Sequence, residues 1–446
     1  MFNFKLTGIV NTYEFEELIK VFLKPVEFTI SVLDGPKREK NEAKRELYKH
    51  LVELTGKSHD WGILTGVRPV KLTAELFEKH RNKAQVKNTL TREFFVREEK
   101  ADLLISIYEY QQKVLSKPLK NQVGVYIGIP FCPTKCLYCS FTSNQATDSK
   151  ILNYMDALLK EVEFVGKEMK AAKKIPETVY IGGGTPTTLT AKQLQELLSH
   201  IKGNFDLSEL KEFTVEAGRP DTLTDSKLDV MQSFGITRIS INPQSMQDKT
   251  LELIGRSHTA DDVRSAFALA KECQKGASLG AKMAINADII AGLPEEISDF
   301  ENTVSEVIGL EPENITIHTL AVKRASKLVD INKDYHYEHG EKARKMMLLG
   351  NELLSNAGYV PYYLYRQKHM AGNLENVGWC KLGAAGIYNI RIMEEKQTII
   401  ALGAGGITKV YYPDENRLER VPNVTNYEIY ATEIDEMMRR KKENLF

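Results

Sequence analysis

The chain has 446 residues, 42% hydrophobic and 27% charged, a length at which one core usually gives way to two or three units and a composition that excludes a disordered or repetitive protein. Lysine plus arginine and aspartate plus glutamate balance at 60 each, so no positive field points to a nucleic-acid partner. No apolar run of about 18 residues is present, and the opening MFNFKLTGIVNTYEFEEL lacks the charged head and apolar stretch of a secretory signal, so a cytoplasmic protein with no stable membrane insertion is expected.

Residues 1–118 read as an N-terminal α/β domain, with a strand at Phe2 to Ile9, a helix at Tyr13 to Phe22, a strand at Val26 to Leu33 and a charged helix from Lys37 to Leu54. The stretch DWGILTGVRPVKL, Asp60 to Leu72, holds Gly66, Arg68 and Pro69 and is read as a structural turn ahead of a substrate loop. From 119 to 325 short β-rich segments alternate with amphipathic helical stretches, the pattern of a parallel sheet wrapped by helices. The six strands are VGVYIGIPF from Val123, TVYIG from Thr178, EFTVEA from Glu212, RISIN from Arg238, INADIIAG from Ile285 and NITIHTLAV from Asn314. Between the first two, Ile151, Tyr154, Met155, Leu158, Leu159, Val162 and Val165 recur at helical spacing and form one apolar stripe. Right-handed crossovers curl such units the same way, so an open (β/α)6 barrel is predicted, with its site at the C-terminal ends of the strands. Residues 326–446 read as a C-terminal α+β domain: charged helices, then TIIALGAGGITKVYY as strand, glycine turn and strand, then a helix to Phe446, long enough in all to lie across the barrel mouth.

Five cysteines occur, and three of them, Cys132, Cys136 and Cys139, fall within eight residues in YIGIPFCPTKCLYCSF. That clustering is wrong for a disulfide framework and fits a metal site in a reducing compartment. C-x3-C-x2-C on a loop directly after a strand lets three thiolates reach one face of a four-iron cluster, which leaves one iron without a protein ligand. A structural zinc site wants a fourth ligand nearby; Ser140 and Phe141 are not of the usual kind, and the next histidine is His200.

The cysteine motif resembles that of the radical S-adenosylmethionine (SAM) superfamily. The phrases YIGIPFC, GGGTPT, TVEAGRP, RISINPQS and DIIAGLP, in that order, are similar to the oxygen-independent coproporphyrinogen III dehydrogenase family. WGILTGVRP before the barrel, and YRQKHMAGNLENVGW and ALGAGGITK after it, look like the HemZ-type branch of that family. The resemblance implies a radical-SAM partial barrel holding a [4Fe-4S] cluster on Cys132, Cys136 and Cys139, with S-adenosyl-L-methionine on the open iron. It implies cofactor contacts at Tyr126, Tyr138, Gly183, Gly184, Thr185, Glu216, Gln244, Arg256, Asp288 and Ala321, with Tyr138 against the adenine. An arginine suits the methionyl carboxylate, and the acids, the amide and the carbonyls of Gly182 to Pro186 suit the ribose hydroxyls and the ammonium.

The same resemblance implies the reaction. One electron, from a reductant such as flavodoxin or ferredoxin, cleaves SAM to methionine and a 5'-deoxyadenosyl radical, which takes hydrogen from a propionate of the porphyrinogen substrate. Loss of carbon dioxide and an electron leaves a vinyl group, and two rounds convert coproporphyrinogen III to protoporphyrinogen IX, a step of heme biosynthesis. The catalytic side chains stay unassigned. The best-characterised dehydrogenases carry a fourth cysteine two residues after the third, where this chain has Phe141. Related heme chaperones also lack it, but their His-Asn-x-x-Tyr-Trp motif is not reproduced in HMAGNLENVGW, His369 to Trp379. The enzyme reading therefore stands ahead of a non-enzymatic heme chaperone, with a radical methyltransferase acting on heme as a third reading. Lys323, Arg324, Arg366 and Lys368 are candidate clamps for propionate carboxylates. Cys273 reads as a packing cysteine and Cys380 as structural.

Overall fold

The computed structural model describes every residue except Val67, Ser140, Thr142, 276–281, Arg324 and Ala325. At the N-terminus β1 (Phe2–Thr7) pairs in parallel with β2 (Phe28–Leu33), joined by the helix Tyr13–Phe22, which buries Phe15, Leu18, Ile19 and Phe22 against them. Pro25–Glu27 forms a 3-10 turn, which delays β2 by two residues relative to the sequence reading. The next helix runs Lys40–Thr55; the Glu39 carboxylate accepts from the Asn41 and Glu42 N–H groups and sets its start, and left-handed Gly56 ends it. Residues 60–72 are tied into the fold. Arg68 pairs with Glu395 at 2.7 Å, and Pro69 opens the helix Pro69–His80.

Six strands, β3 (Gln122–Ile129), β4 (Ile175–Gly183), β5 (Glu212–Glu216), β6 (Arg238–Ser240), β7 (Ala284–Ala291) and β8 (Asn314–Thr319), lie side by side in chain order, all parallel. This is the open (β/α)6 arrangement. Alternation explains which side chains enter it. Val125, Ile127, Val179, Ile181, Phe213, Val215, Ala287, Ile289, Ile315 and Ile317 point outward into one buried core under the helices. Their neighbours Tyr126, Tyr180, Glu216, Asp288 and His318 point to the opposite, concave face, where all five meet. The helix Asp148–Ala171 buries the stripe expected of it, except that Leu159 is only partly covered.

The sheet continues past both edges of the barrel. On one side β10 (Asn376–Cys380) runs antiparallel to β8, and β9 (Val360–Tyr365) antiparallel to β10. On the other, β11 (Ile399–Leu402) runs parallel to β3, followed by β12 (Ile407–Tyr412) and β13 (Arg417–Pro422) in antiparallel order. Residues after 326 thus add five strands to one 11-stranded sheet. TIIALGAGGITKVYY forms β11, a glycine turn and β12, whereas β9, β10 and β13 were not foreseen. β10 is buried throughout and carries a register shift at Gly378/Trp379, so it shows no alternation; β13, RLERVP, is a charged edge strand and reads as loop. The final helix Ile434–Leu445 docks on Asp148–Ala171 through the buried pair Lys441–Glu161 at 2.6 Å. The N-terminal unit is tied to the sheet by Trp61, whose Nε1–H donates to Glu375 Oε2 at 2.9 Å, while Lys100 pairs with the same carboxylate.

Candidate active site

The concave face of the barrel, at the C-terminal strand ends, encloses a cavity of about 510 Å³. The thirteen residues assigned from the resemblance to the cluster and the cofactor all line it: Cys132, Cys136, Cys139, Tyr126, Tyr138, Gly183, Gly184, Thr185, Glu216, Gln244, Arg256, Asp288 and Ala321.

The cysteine loop leaves β3 and is pinned by backbone bonds from Cys132 N–H to Asn144 O (3.0 Å), from Thr185 N–H to Phe131 O (2.7 Å) and from Leu137 N–H to Ile254 O (2.9 Å). Gly184 makes the close approach possible, since a Cβ there would stand 2.5 Å from Phe131 O and 3.0 Å from Cys132 Sγ. Gly183, at φ +115°, turns the chain out of β4. Burial pushes the Cys132 and Cys139 thiols up, with a Thr185 contact opposing it at Cys132. Among the described residues no three His, Cys, Asp or Glu side chains converge as ligands of a single ion. A cubane asks for something else, one thiolate on each of three irons.

Beside the cysteines lie the groups suited to an amino-acid ligand. Glu216 accepts from the Tyr180 hydroxyl and, at 3.2 Å, from the Gly183 N–H. Burial pushes its carboxyl up to about 7, the Tyr180 bond opposing this and Asp288 adding to it. Arg256 donates to Gly218 O and Tyr138 Oη, each at 3.0 Å, and its buried Nε has no partner. Asn242 Oδ1, also on the cavity wall, is buried without a donor. Gln244 is held at φ +70° by exchanging backbone bonds with Asp288 and Ile290, a strained backbone of the kind found at ligand sites. Ala321 forms an isolated antiparallel bridge with Met370. An unpartnered guanidinium N–H, an unpartnered amide oxygen and a buried carboxyl with no cation bonded to it form a donor set that fits the carboxylate and ammonium of S-adenosylmethionine.

Several wall residues were not anticipated. Arg219 donates to Cys136 Sγ at 3.2 Å; its only signal was its place in TVEAGRP. His318 lies 3.4 Å from Asp288 and 3.3 Å from the Tyr365 hydroxyl, and was visible as a polar residue at an inward position of NITIHTLAV. Tyr363, Tyr365 and Gln367 come from β9 and its exit, which the sequence did not disclose. Tyr388 stacks on Tyr180 with centroids 4.4 Å apart.

Two proposed clamps are misplaced for that role. The Arg366 guanidinium lies 5.0 Å over the Trp61 ring and donates to the carbonyls of Leu64 (2.5 Å) and Asn373 (3.1 Å), and burial pushes it down to about 10. Lys368 pairs with Glu17 at 3.1 Å. Both line a separate cavity of about 1000 Å³ beside the N-terminal unit, because side chains alternate past the end of β9: Tyr365 and Gln367 reach the barrel cavity, Arg366 and Lys368 do not. Lys323 does line the barrel cavity, and burial lowers its pKa; Arg324 lies outside the described residues. Cys380 is buried beside Tyr110, and Cys273 is partly buried against the main core. Among the described residues no helix is long and apolar enough to cross a membrane.

The Radical SAM superfamily model matches residues 126–307. The oxygen-independent coproporphyrinogen-III oxidase-like protein HemZ of Bacillus subtilis (strain 168) is 39% identical over 384 residues, 84% of this chain and 75% of the relative. The heme chaperone HemW of the same organism is 34% identical over 202 residues, 45% of this chain and 51% of the relative. Among solved structures, the coproporphyrinogen III oxidase HemN from Escherichia coli matches with a TM-score of 0.55 at 19% identity, over 74% of this chain and 72% of that one, a likeness of fold. The similarity to HemZ extends well outside the barrel into both flanks, and with it the chain belongs to the radical SAM superfamily, in the HemN/HemZ-like family whose members use a [4Fe-4S] cluster and S-adenosylmethionine.

Proposed function

We propose that the protein is an oxygen-independent coproporphyrinogen III dehydrogenase, converting propionate side chains of coproporphyrinogen III to vinyl groups and yielding protoporphyrinogen IX. The observation that carries this reading is the likeness to HemZ over 84% of the chain, joined to a cavity that brings together the residues the sequence resemblance assigns to the cofactor. When bound, the cluster and S-adenosylmethionine supply the 5'-deoxyadenosyl radical that removes a propionate hydrogen. The chain's own task is to hold the two partners. Arg256 takes the methionyl carboxylate through a charge-assisted pair, and Glu216, whose carboxyl burial pushes up to about 7, takes the ammonium, whose charge favours the ionised carboxylate. Gln244 and Asp288 face the ribose, and Tyr138 the adenine. Lys323, on the cavity wall, is the clamp for a substrate carboxylate: burial disfavours its ammonium while the site is empty, and an arriving carboxylate offsets that by pairing with the charged form.

A second reading, a heme chaperone, is favoured by Phe141, 67% exposed at the cavity where the dehydrogenases have a fourth cysteine, and by the likeness to HemW. Coproporphyrinogen III deuterated at the propionate β carbons distinguishes the readings under anaerobic conditions with reductant and S-adenosylmethionine. A dehydrogenase puts deuterium into 5'-deoxyadenosine and releases carbon dioxide. A chaperone binds heme tightly and leaves cofactor cleavage unchanged by the porphyrinogen. A methyltransferase adds to heme a mass traceable to the methyl group of S-adenosylmethionine. Absence of deuterium transfer in a preparation with full cluster content that still cleaves the cofactor defeats the dehydrogenase assignment.

A further inference from the structure

Arg219 follows β5 and has only 3% of its surface exposed, yet its guanidinium has no carboxylate within hydrogen-bonding geometry; the nearest carboxylate oxygen, Asp221 Oδ1, is 3.5 Å from an Nε that stays unpartnered. Its fork is spent on the cysteine loop instead. Nη1 donates to Cys136 Sγ at 3.2 Å, and Nη2 donates to Thr134 Oγ1 at 2.5 Å and to Ser257 Oγ at 3.0 Å. Ser257 in turn donates to Asp221 at 2.7 Å and follows Arg256 directly in the chain, while Arg256 bonds to the carbonyl of Gly218, the residue before Arg219. One buried cation therefore joins a cluster cysteine to the segment that carries Arg256.

We propose that Arg219 is a positioning residue that sets the reduction potential of the cluster, by holding a cationic N–H donor on the sulfur of Cys136. A charged donor at a ligating thiolate withdraws charge from the Fe–S unit and stabilises the reduced cluster, which is the more negative form, over the oxidised one. The potential therefore rises, and the cluster accepts its electron from a weaker reductant. Low exposure keeps solvent from screening the effect, and Thr134 and Ser257 fix the fork so that its aim does not depend on Arg219 alone. The inference rests on the cluster and holds whichever substrate the cavity takes.

The test is an anaerobic redox titration of the reconstituted full-length protein with titanium(III) citrate, followed by electron paramagnetic resonance, in wild type, R219Q and R219K. Iron per chain and circular dichroism are measured on the same samples. In R219Q with full iron the ratio of reduced to oxidised cluster at a fixed potential should fall about tenfold, 59 mV for a one-electron couple. R219K, which keeps the charge but cannot serve three partners with one planar fork, should fall by about threefold. Either variant with full iron and the wild-type potential overturns the proposal. So does loss of iron from both variants with the fold intact, which assigns Arg219 to cluster retention and not to potential.

Discussion

Arg256 and Glu216 show what single residues contribute. Removing a hydrogen bond to a charged group costs about 1.5–3 kcal/mol, on the order of ten- to a hundredfold in affinity. R256A should keep four irons per chain and bind S-adenosylmethionine weaker by that factor in a titration; wild-type affinity refutes the assignment. Glu216 has a folded pKa of about 7 against an ordinary 4.5. Below the ordinary value both states are protonated and the residue is neutral toward stability. As pH rises from there to about 7 the unfolded chain ionises first and the cofactor-free native state loses stability. E216Q without cofactor should therefore resist denaturant better than wild type at pH 8, the difference vanishing towards pH 4.5, while its cofactor affinity falls. Equal midpoints at pH 8 would show that Glu216 is not strained. Glu216 was legible as the acid of TVEAGRP and Arg256 by its place twelve residues after Gln244, each matching a cofactor position of the family. Arg219 was not, since a single arginine before a proline looks the same on a surface as under a cysteine loop.

At the scale of elements, the alternation of β3 through β8 was legible because one face of every strand is apolar and sealed by helices. Strand alternation puts Glu216 and Asp288, which the resemblance had singled out, on the inner face and, applied to NITIHTLAV, puts His318 there too. β9 escaped because VPYYLY is aromatic on both faces, with Tyr362 in one small core and Tyr363 and Tyr365 on the cavity wall. The turn after β4 is the element most sensitive to a small change. G184A places a methyl group against Phe131 O and Cys132 Sγ, an overpacking of the kind that costs about 1–3 kcal/mol when the neighbours give way. The variant should keep its helix content but retain fewer than four irons on reconstitution. A full complement of iron would show that the cysteine loop tolerates displacement.

For the whole molecule the decisive fact is that the barrel's two open edges, β3 and β8, are both covered by strands from beyond residue 326. A polypeptide ending at Ala325 would expose both edges at once, and unpaired edges invite pairing between chains. Such a truncation should aggregate, seen by light scattering and gel filtration, while the full chain does not; a monomeric, folded 1–325 fragment would count against this role for the tail. The boundary at 325 read from the sequence came from the end of the β/α alternation. Pairing partners 60 to 275 residues apart in the chain leave no local trace, so the continuity of the sheet was out of reach.

Trp61 and Trp379 are the chain's two tryptophans. The first sits in the seam between the N-terminal unit and the sheet, bonded to Glu375 beneath Arg366, and the second lies within β10 with its N–H unpaired. In a W379F protein all indole emission therefore originates at the seam. Its wavelength reads the polarity there and its decay reads the neighbouring guanidinium, so opening of the N-terminal unit becomes an optical event, visible without any attached dye while ligands enter or leave the barrel.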